Sequence, residues 1–320
     1  MKTIPLTLTL AALLLPSHTS LGTTVIGATG DLNSGRFDDN SFYEIEIGAR
    51  RSTATLLGSA SVTPNQLAYD VDSNSLYYTD HNGSNFYRFD TTNQTEHFIA
   101  ALPQVGLPAG KTGSGAGEFY NGRYYYTPES GAQGMYQVGF SEDGSSIESH
   151  TTVIPSNLSD FSDLSDGSTY AGLGDFGDVA VDNTTGKMYG SSTMHNNGQS
   201  YTAFWSINLD DPNFTMEMIS DSLDSVYQLA FDEDNKLWGN KWTGGTTNQA
   251  GRLVELDQRT GEELSNTRIR LDGRNARGDF YDLASTNIRI GPGILVMPEP
   301  SSMSLLAISA MFGLCRRSRK

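Results

Sequence analysis

The chain repeats itself. Gln66-Leu67-Ala68-Tyr69-Asp70 leads through a polar turn to Leu76-Tyr77-Tyr78-Thr79, and then to Phe86-Tyr87-Arg88-Phe89-Asp90. Asp178-Val179-Ala180-Val181-Asp182 is followed in the same way by Met188-Tyr189-Gly190 and Phe204-Trp205-Ser206-Ile207. Gln228-Leu229-Ala230-Phe231-Asp232 is followed by Leu237-Trp238-Gly239 and Leu253-Val254-Glu255-Leu256-Asp257. A looser copy runs from Glu118-Phe119-Tyr120 through Tyr124-Tyr125-Tyr126-Thr127 to Met135-Tyr136-Gln137-Val138. Weaker fourth segments follow, such as His97-Phe98-Ile99 and Met216-Glu217-Met218-Ile219. Short apolar and aromatic runs separated by Asp, Asn and Gly are strands of hairpins, not helices.

A four-stranded meander recurring at roughly 50 residues, the spacing from Val179 to Leu229, is the pattern of a β-propeller blade. The longer interval before Val179 holds the looser copy and an acidic, serine-rich insert at 156–170. The two ends of the body complement each other. Phe280-Tyr281-Asp282-Leu283-Ala284 reads as a first strand with no full blade after it. Thr24-Val25-Ile26-Gly27, Phe42-Tyr43-Glu44-Ile45 and Ala54-Thr55-Leu56-Leu57 read as second, third and fourth strands with no first. The expectation is an all-β fold over residues 23–290, a single propeller of five four-stranded blades. Its last blade is closed by both termini, which covers the free edge. A sixth blade requires residues 287–296 to add strands of their own. A β-sandwich explains neither the period nor the complementary ends.

Both ends of the chain carry addresses. Residues 1–22 read as a signal peptide: Lys2 is the positive start, residues 6–15 are apolar, and Ser20 and Gly22 precede a cut between Gly22 and Thr23. At the other end, a linker at 291–302 carries Pro298-Glu299-Pro300. An apolar run at 303–315 follows, then Arg316-Arg317-Ser318-Arg319-Lys320. This order resembles the PEP-CTERM sorting signal of Gram-negative bacteria. The resemblance implies an exosortase-type enzyme that recognises and removes the tail of 303–320, and export to the cell surface, outer envelope or extracellular matrix. It also implies possible company with extracellular polysaccharide. Basic residues after an apolar run stay on the cytoplasmic side, which leaves the body outside. The run is shorter than the roughly 20 residues of a stable span, which fits transient inner-membrane anchoring better than a permanent transmembrane tail.

Charge narrows the partners. The whole chain has a formal net charge of −16. Setting aside Lys2, Glu299 and the four basic tail residues leaves 16 Lys and Arg against 36 Asp and Glu, near −20. Nucleic acid is a poor partner for such a body. The single cysteine, Cys315, lies in the tail, so the body has neither a disulfide nor a thiol for chemistry.

Three strings imitate nucleotide motifs without their context. Val25-Ile26-Gly27-Ala28-Thr29-Gly30 has Asn33 where a third glycine is needed, and no helix pattern follows. Gly110-Lys111-Thr112 has Val105 in place of the upstream glycine, and Asp175-Phe176-Gly177 lacks every companion of a kinase motif. Asp70-Val71-Asp72-Ser73-Asn74 and Asp232-Glu233-Asp234-Asn235 place oxygens as a calcium loop does, without the glycine and distal glutamate that complete one. They read first as turns. Calcium stays open as the one candidate ion, with no cofactor otherwise expected and no metal-ligand set assigned.

In a propeller, loops that follow second strands share a face with loops that enter first strands. That face is expected to gather Asp80, His81, Glu129, His195 and Trp242 from one class and Glu118, Asp175, Asp178 and Asp279 from the other. Carboxylates, imidazoles and an aromatic around a depression form a possible rim for a sugar or a cation. No catalytic residue is assigned. The functional expectation is an exported, non-enzymatic binding or structural propeller. The alternative is a secreted carbohydrate-active enzyme, a glycoside hydrolase or lyase, on the same scaffold.

Overall fold

The computed structural model describes residues 23–30, 37–109, 115–128, 135–157, 175–196, 199–221, 223, 226–241, 251–275 and 280–287. Residues 1–22 and 291–320, where the signal peptide, linker and sorting tail are expected, fall outside these residues. Regular structure within them is strand, apart from one 3-10 turn at Leu102–Val105.

The chain begins with β1 (Thr24–Ala28), β2 (Ser41–Glu46) and β3 (Arg51–Ser59). The first complete blade follows: β4 (Pro64–Asp70), β5 (Ser75–Asp80), β6 (Asn85–Asp90) and β7 (Thr95–Ala101). The second is β8 (Gly117–Tyr120), β9 (Arg123–Tyr126), β10 (Met135–Phe140) and β11 (Ile147–Val153). The third is β12 (Asp175–Asp182), β13 (Lys187–Asn196), β14 (Gln199–Asn208) and β15 (Met216–Ser220). The fourth is β16 (Val226–Phe231), β17 (Leu237–Lys241), β18 (Arg252–Leu256) and β19 (Glu263–Leu271), with the short β20 (Arg274–Asn275) paired on β19. The last strand, β21 (Asp282–Ala284), returns to pair antiparallel with β1, setting Gly27 opposite Leu283 and Ile26 opposite Ala284. The fifth blade is therefore β21-β1-β2-β3, drawn from both ends of the body.

The inner strands make the ring. β4 contacts β8, β8 contacts β12, β12 contacts β16, β16 contacts β21, and β21 contacts β4. This closed cycle of five is a propeller and rules out two packed sheets. One feature departs from the sequence expectation. The outer strands β19 and β3 pair in parallel, from Arg268 opposite Arg51 to Leu271 opposite Ala54. Blades four and five thus run on as one sheet, and two outer edges that would otherwise be unpaired cover each other.

Aromatic and aliphatic strand positions fill the wedges between blades. Five buried clusters occupy the five junctions. Met135, Val179 and Trp205 join blades two and three, and Leu229, Phe204 and Phe231 join three and four. Tyr43, Trp238 and Phe280 join four and five. Phe42, Leu67 and Phe89 join five and one, and Phe86, Phe119 and Tyr124 join one and two. Each fully buried large side chain of this kind contributes about 1.5–3 kcal/mol. Gly190 is small because Trp205 lies on it: a Cβ there would come within 2.1 Å of the indole.

The hairpin turns share one chemistry. The Oδ1 atom of Asp90 accepts from the N–H groups two and three residues on, at 2.8 and 3.0 Å. Asp182 does so at 2.9 and 3.3 Å, and Asp257 at 2.7 and 3.2 Å. The residue after each such turn is left-handed: Gln94 at φ 54°, Gly186 at 70° and Gly261 at 75°. Asx turns of this kind explain why the sequence places Asp at these strand ends.

Candidate functional site

The five inner strands bring one register to the axis. Gln66, Glu118, Asp178, Gln228 and Asp282 each stand immediately before a buried apolar residue, namely Leu67, Phe119, Val179, Leu229 and Leu283. Neighbouring strand residues point to opposite faces, so the apolar partner enters the junction and the polar one turns away from it. A bulge falls at this point in β4, β12 and β16, and bulges re-aim side chains. Gln66 takes a left-handed φ of 57° within its bulge.

These residues link the blades. Asp282 accepts from its own neighbour Leu283 N at 3.0 Å and from Leu67 N of blade one at 2.7 Å. Asp178 repeats the arrangement with Val179 N at 2.7 Å and Leu229 N of blade four at 2.8 Å. Glu118 accepts from Phe119 N at 2.8 Å and from the Ser285 hydroxyl. Gln66 Nε2 donates to Thr127 O of blade two at 2.7 Å. The fourth junction is bridged by Asn240 Nδ2, which donates to Phe280 O at 3.0 Å. Blades one and two, three and four, four and five, and five and one are thus joined by polar links at their junctions.

Burial governs the electrostatics here. Glu118, Asp178 and Asp282 are 1%, 0% and 3% exposed. Loss of water pushes the Glu118 carboxyl up to about 8, with the Asp282 charge adding to the rise. Burial likewise raises Asp178, reinforced by Asp282 and Glu118, and raises Asp282. No ion pair reaches any of the three among the described residues.

One mouth of the axis is crossed by the chain itself. After β21, Ser285 Oγ accepts from Phe231 N at 3.0 Å while donating to Glu118. Thr286 N donates to Phe231 O at 2.9 Å, and its hydroxyl donates to Thr24 O at 2.6 Å. Asn287 Nδ2 donates to Val181 O at 3.0 Å and to Asn235 Oδ1 at 2.9 Å, and the side chain accepts from Asn183. Three residues from blade five therefore touch blades two, three and four. The opposite mouth bears His81, whose Nδ1 lies 2.9 Å from the Tyr281 hydroxyl. That contact joins the loop after β5 to the entry of β21, on the shared face expected from the topology.

The rim expected from sequence is redistributed. Glu118 and Asp178 lie at the axis, closed to solvent, because their oxygens are needed by main-chain donors. Asp80 is 8% exposed and forms a turn, accepting from Ser84 N at 2.8 Å and Asn85 Nδ2 at 2.7 Å. His81 does stand at the mouth. Asp175 and His195 lie on β12 and β13. Glu129, Trp242 and Asp279 lie outside the described residues, as do Gly22 and the tail positions Pro298, Glu299, Pro300, Arg316, Arg317, Arg319 and Lys320; Thr23 is described and accepts from Ile47 N at 2.7 Å. Sequence reasoning missed Gln66, Gln228 and Asp282 as partners of Glu118 and Asp178. The available signal was their common place before the apolar residue of each first strand.

Oxygen clusters that resemble calcium loops are engaged otherwise. Asp70 accepts from Asp72 N at 3.2 Å and from the Ser73 hydroxyl. Asp232 accepts from Lys236 N at 2.9 Å and from Trp238 Nε1 at 2.7 Å. Among the described residues, no group of three His, Cys, Asp or Glu is placed to hold a metal ion.

No family profile and no curated protein matches the chain. Solved structures do. A chain of a nidogen/laminin complex matches with a TM-score of 0.46 and 12% identity, over 82% of this chain and 98% of that one. Regucalcin, a calcium-binding protein from Agrobacterium tumefaciens, matches at 0.37 and 14%, over 78% of this chain and 75% of its own. TolB from Acinetobacter baumannii matches at 0.39 and 10%, over 78% and 66%. The chain is a five-bladed β-propeller. That follows from its own strand order and its closed inner ring, not from these distant likenesses.

Proposed function

We propose that this chain is an exported cell-surface or extracellular-matrix propeller, sorted through its PEP-CTERM-like tail by an exosortase-type enzyme, and a non-enzymatic binding or structural component at its destination. Export and sorting rest on residues 1–22 and 298–320, where charge, apolar length and small residues follow in the order that such signals require. The non-enzymatic part rests on one observation. Glu118 and Asp178, the best-placed acids for sugar chemistry, are sealed from solvent, with main-chain donors on their oxygens. A glycosidase needs two acids that reach the scissile bond from opposite sides. Acids that hold blades together do not meet that need.

The crossing at Ser285–Asn287 supports a single working face, the one that carries His81 and Tyr281. Extracellular polysaccharide is the partner class that suits an acidic, exported body, and no resident metal is assigned. The test is a combined glycan-array and hydrolysis screen of the full chain, with and without added calcium. Glycan binding without turnover is the expected result. Turnover would assign the chain to carbohydrate-active enzymes instead, and the absence of both would reduce the reading to a scaffold.

A further inference from the structure

The parallel pairing of β19 with β3 gathers charge as well as edges. Arg268 of β19 stands opposite Arg51 of β3 on one side and opposite Arg252 of β18 on the other. Arg252 in turn stands opposite Lys241 of β17. Residues opposed in register share a face of the sheet, so four neighbouring strands carry four cations in one row, about 5 Å from strand to strand. With Arg270 and Arg274 they are six of the 16 Lys and Arg of the body (21 less Lys2 and the four of the tail). An acidic chain has placed much of its positive charge on one stretch of outer sheet.

The row faces outward. Leu253, Thr267, Ile269 and Ser52 take the buried side, where Ser52 Oγ donates to Thr267 Oγ1 at 3.2 Å. Their chain neighbours Arg252, Arg268 and Arg51 therefore take the other side, and Arg51 and Arg268 are exposed there. Arg270, two residues on from Arg268, shares that side. Lys241 is met by Glu263 at 3.4 Å, and Arg252 Nη1 donates to Asn266 Oδ1 at 3.3 Å. Among the described residues, no ion pair reaches Arg51, Arg252, Arg268 or Arg270. Arg270 Nε is buried without a hydrogen-bond partner. Like charges directly opposed in a sheet destabilise it, so the fold bears a cost that an anion laid along the row would remove.

We propose that this row is a docking surface for an acidic polysaccharide, held through carboxylates on successive sugars. Guanidinium forks bind carboxylates with two parallel hydrogen bonds, and a row of them suits a chain of charges better than a single anion. Most of the body repels such a ligand, so the row also decides where it lands. This surface gives the polysaccharide reading above, on which it rests, a charge and a place: acidic sugars, on the outer strands rather than at the mouth. Nucleic acid fits worse. A duplex carries roughly one charge per 1.7 Å of its axis, which the acidic body repels strongly, and the row holds no aromatic side chain on which a base could stack.

Binding of oligogalacturonate, neutral dextran and single-stranded DNA to the full chain, with thermal melts alongside, tests the surface. Oligogalacturonate should bind the wild type, less tightly as salt rises, and dextran should not bind. Arg268→Glu should weaken oligogalacturonate binding at least about tenfold, since a charged hydrogen bond is lost and a repulsion gained. The same change should leave Tm level or raise it, because a carboxylate then separates Arg51 from Arg252. If Tm falls instead, Arg51→Ala, at an exposed position, decides by the same loss of binding. Oligogalacturonate binding that survives both changes places the ligand elsewhere, such as the basic tail at 316–320, and overturns the surface while sparing the polysaccharide reading. Preference for dextran does the same. DNA bound more tightly than oligogalacturonate overturns the assignment to sugars, and no binding of either glycan overturns both the surface and the reading beneath it.

Discussion

The side chain of Asp282 accepts a hydrogen bond of 2.7 Å from the backbone N–H of Leu67, 215 positions earlier in the chain. This bond joins the last inner strand to the first complete blade, and so closes the ring at the axis as β1 and β21 close it at the sheet. Asp282→Ala leaves the buried N–H groups of Leu67 and Leu283 without their acceptor. An orphaned buried donor costs about 1–3 kcal/mol, so with two of them the variant should lose about 2–6 kcal/mol in chemical denaturation. A loss within error would show that the carboxyl does not hold this junction.

Gly190 tests the packing of the third blade. A methyl group there meets the Trp205 indole, which is fully buried and donates to Ser192 Oγ at 2.9 Å. Overpacking of this kind costs about 1–3 kcal/mol. Gly190→Ala should lower stability by that much and change Trp fluorescence, whereas Gly122→Ala, which meets no neighbouring atom, should leave the fluorescence unchanged.

Gln94 is a position where the sequence is not the best choice for its turn. Gly186 and Gly261 occupy the equivalent left-handed position in other hairpins, but Gln94 adopts a φ of 54° with a side chain attached. Gln94→Gly relieves backbone strain at a position where glycine has no steric cost. Stability should rise by about 0.5–1 kcal/mol after the entropy of the unfolded glycine is allowed for. A drop in stability would contradict the turn geometry.

The crossing segment separates two truncations that differ by only three residues. A chain ending after Asn287 keeps every bond that Ser285, Thr286 and Asn287 make to Glu118, Phe231, Val181 and Asn235. A chain ending after Ala284 loses them all. The first should melt as the full chain does. The second should melt several degrees lower, at roughly 2–4 °C per kcal/mol for a body of this size. Equal melting would remove the segment from the account of ring closure.

Sorting has its own test. On the proposed sorting route, replacing Arg316, Arg317, Arg319 and Lys320 by neutral residues should remove the charges that would hold the tail at the cytoplasmic face. Intact-mass analysis of surface-exposed protein should then show impaired processing. A full tail on normally localised wild-type protein would exclude cleavage.

Much of the fold was legible because its strands are local. Tyr69-Asp70 followed by Leu76-Tyr77 names a hairpin through its own turn chemistry, and the unmatched ends named the composite blade. The parallel pairing of β19 with β3 was not legible, since nothing in residues 268–271 or 51–54 marks a partner more than 200 positions away. The axis was half legible. Glu118 and Asp178 stood out as acids, but the sequence could not show that each carboxyl turns to main-chain N–H groups. Loops placed them on a rim, whereas the bulge in β12 directs Asp178 inward. Asp279 was expected on the rim because the rim was drawn from loops that enter first strands, whereas Asp282 lies inside β21 itself.

Closure of the fifth blade by both ends of the body is the claim on which the rest depends, and a disulfide tests it most directly. Ile26 and Ala284 face each other across β1 and β21, and opposed positions in an antiparallel pair are close enough for a disulfide. The body has no cysteine of its own, so Ile26→Cys with Ala284→Cys in a Cys315→Ser background leaves only the new pair. On oxidation, this chain should form an intramolecular disulfide in high yield, migrate as a closed loop and melt at a higher temperature than its reduced form. Recovery of both thiols free after oxidation, or bridging only between molecules, would contradict the closed ring.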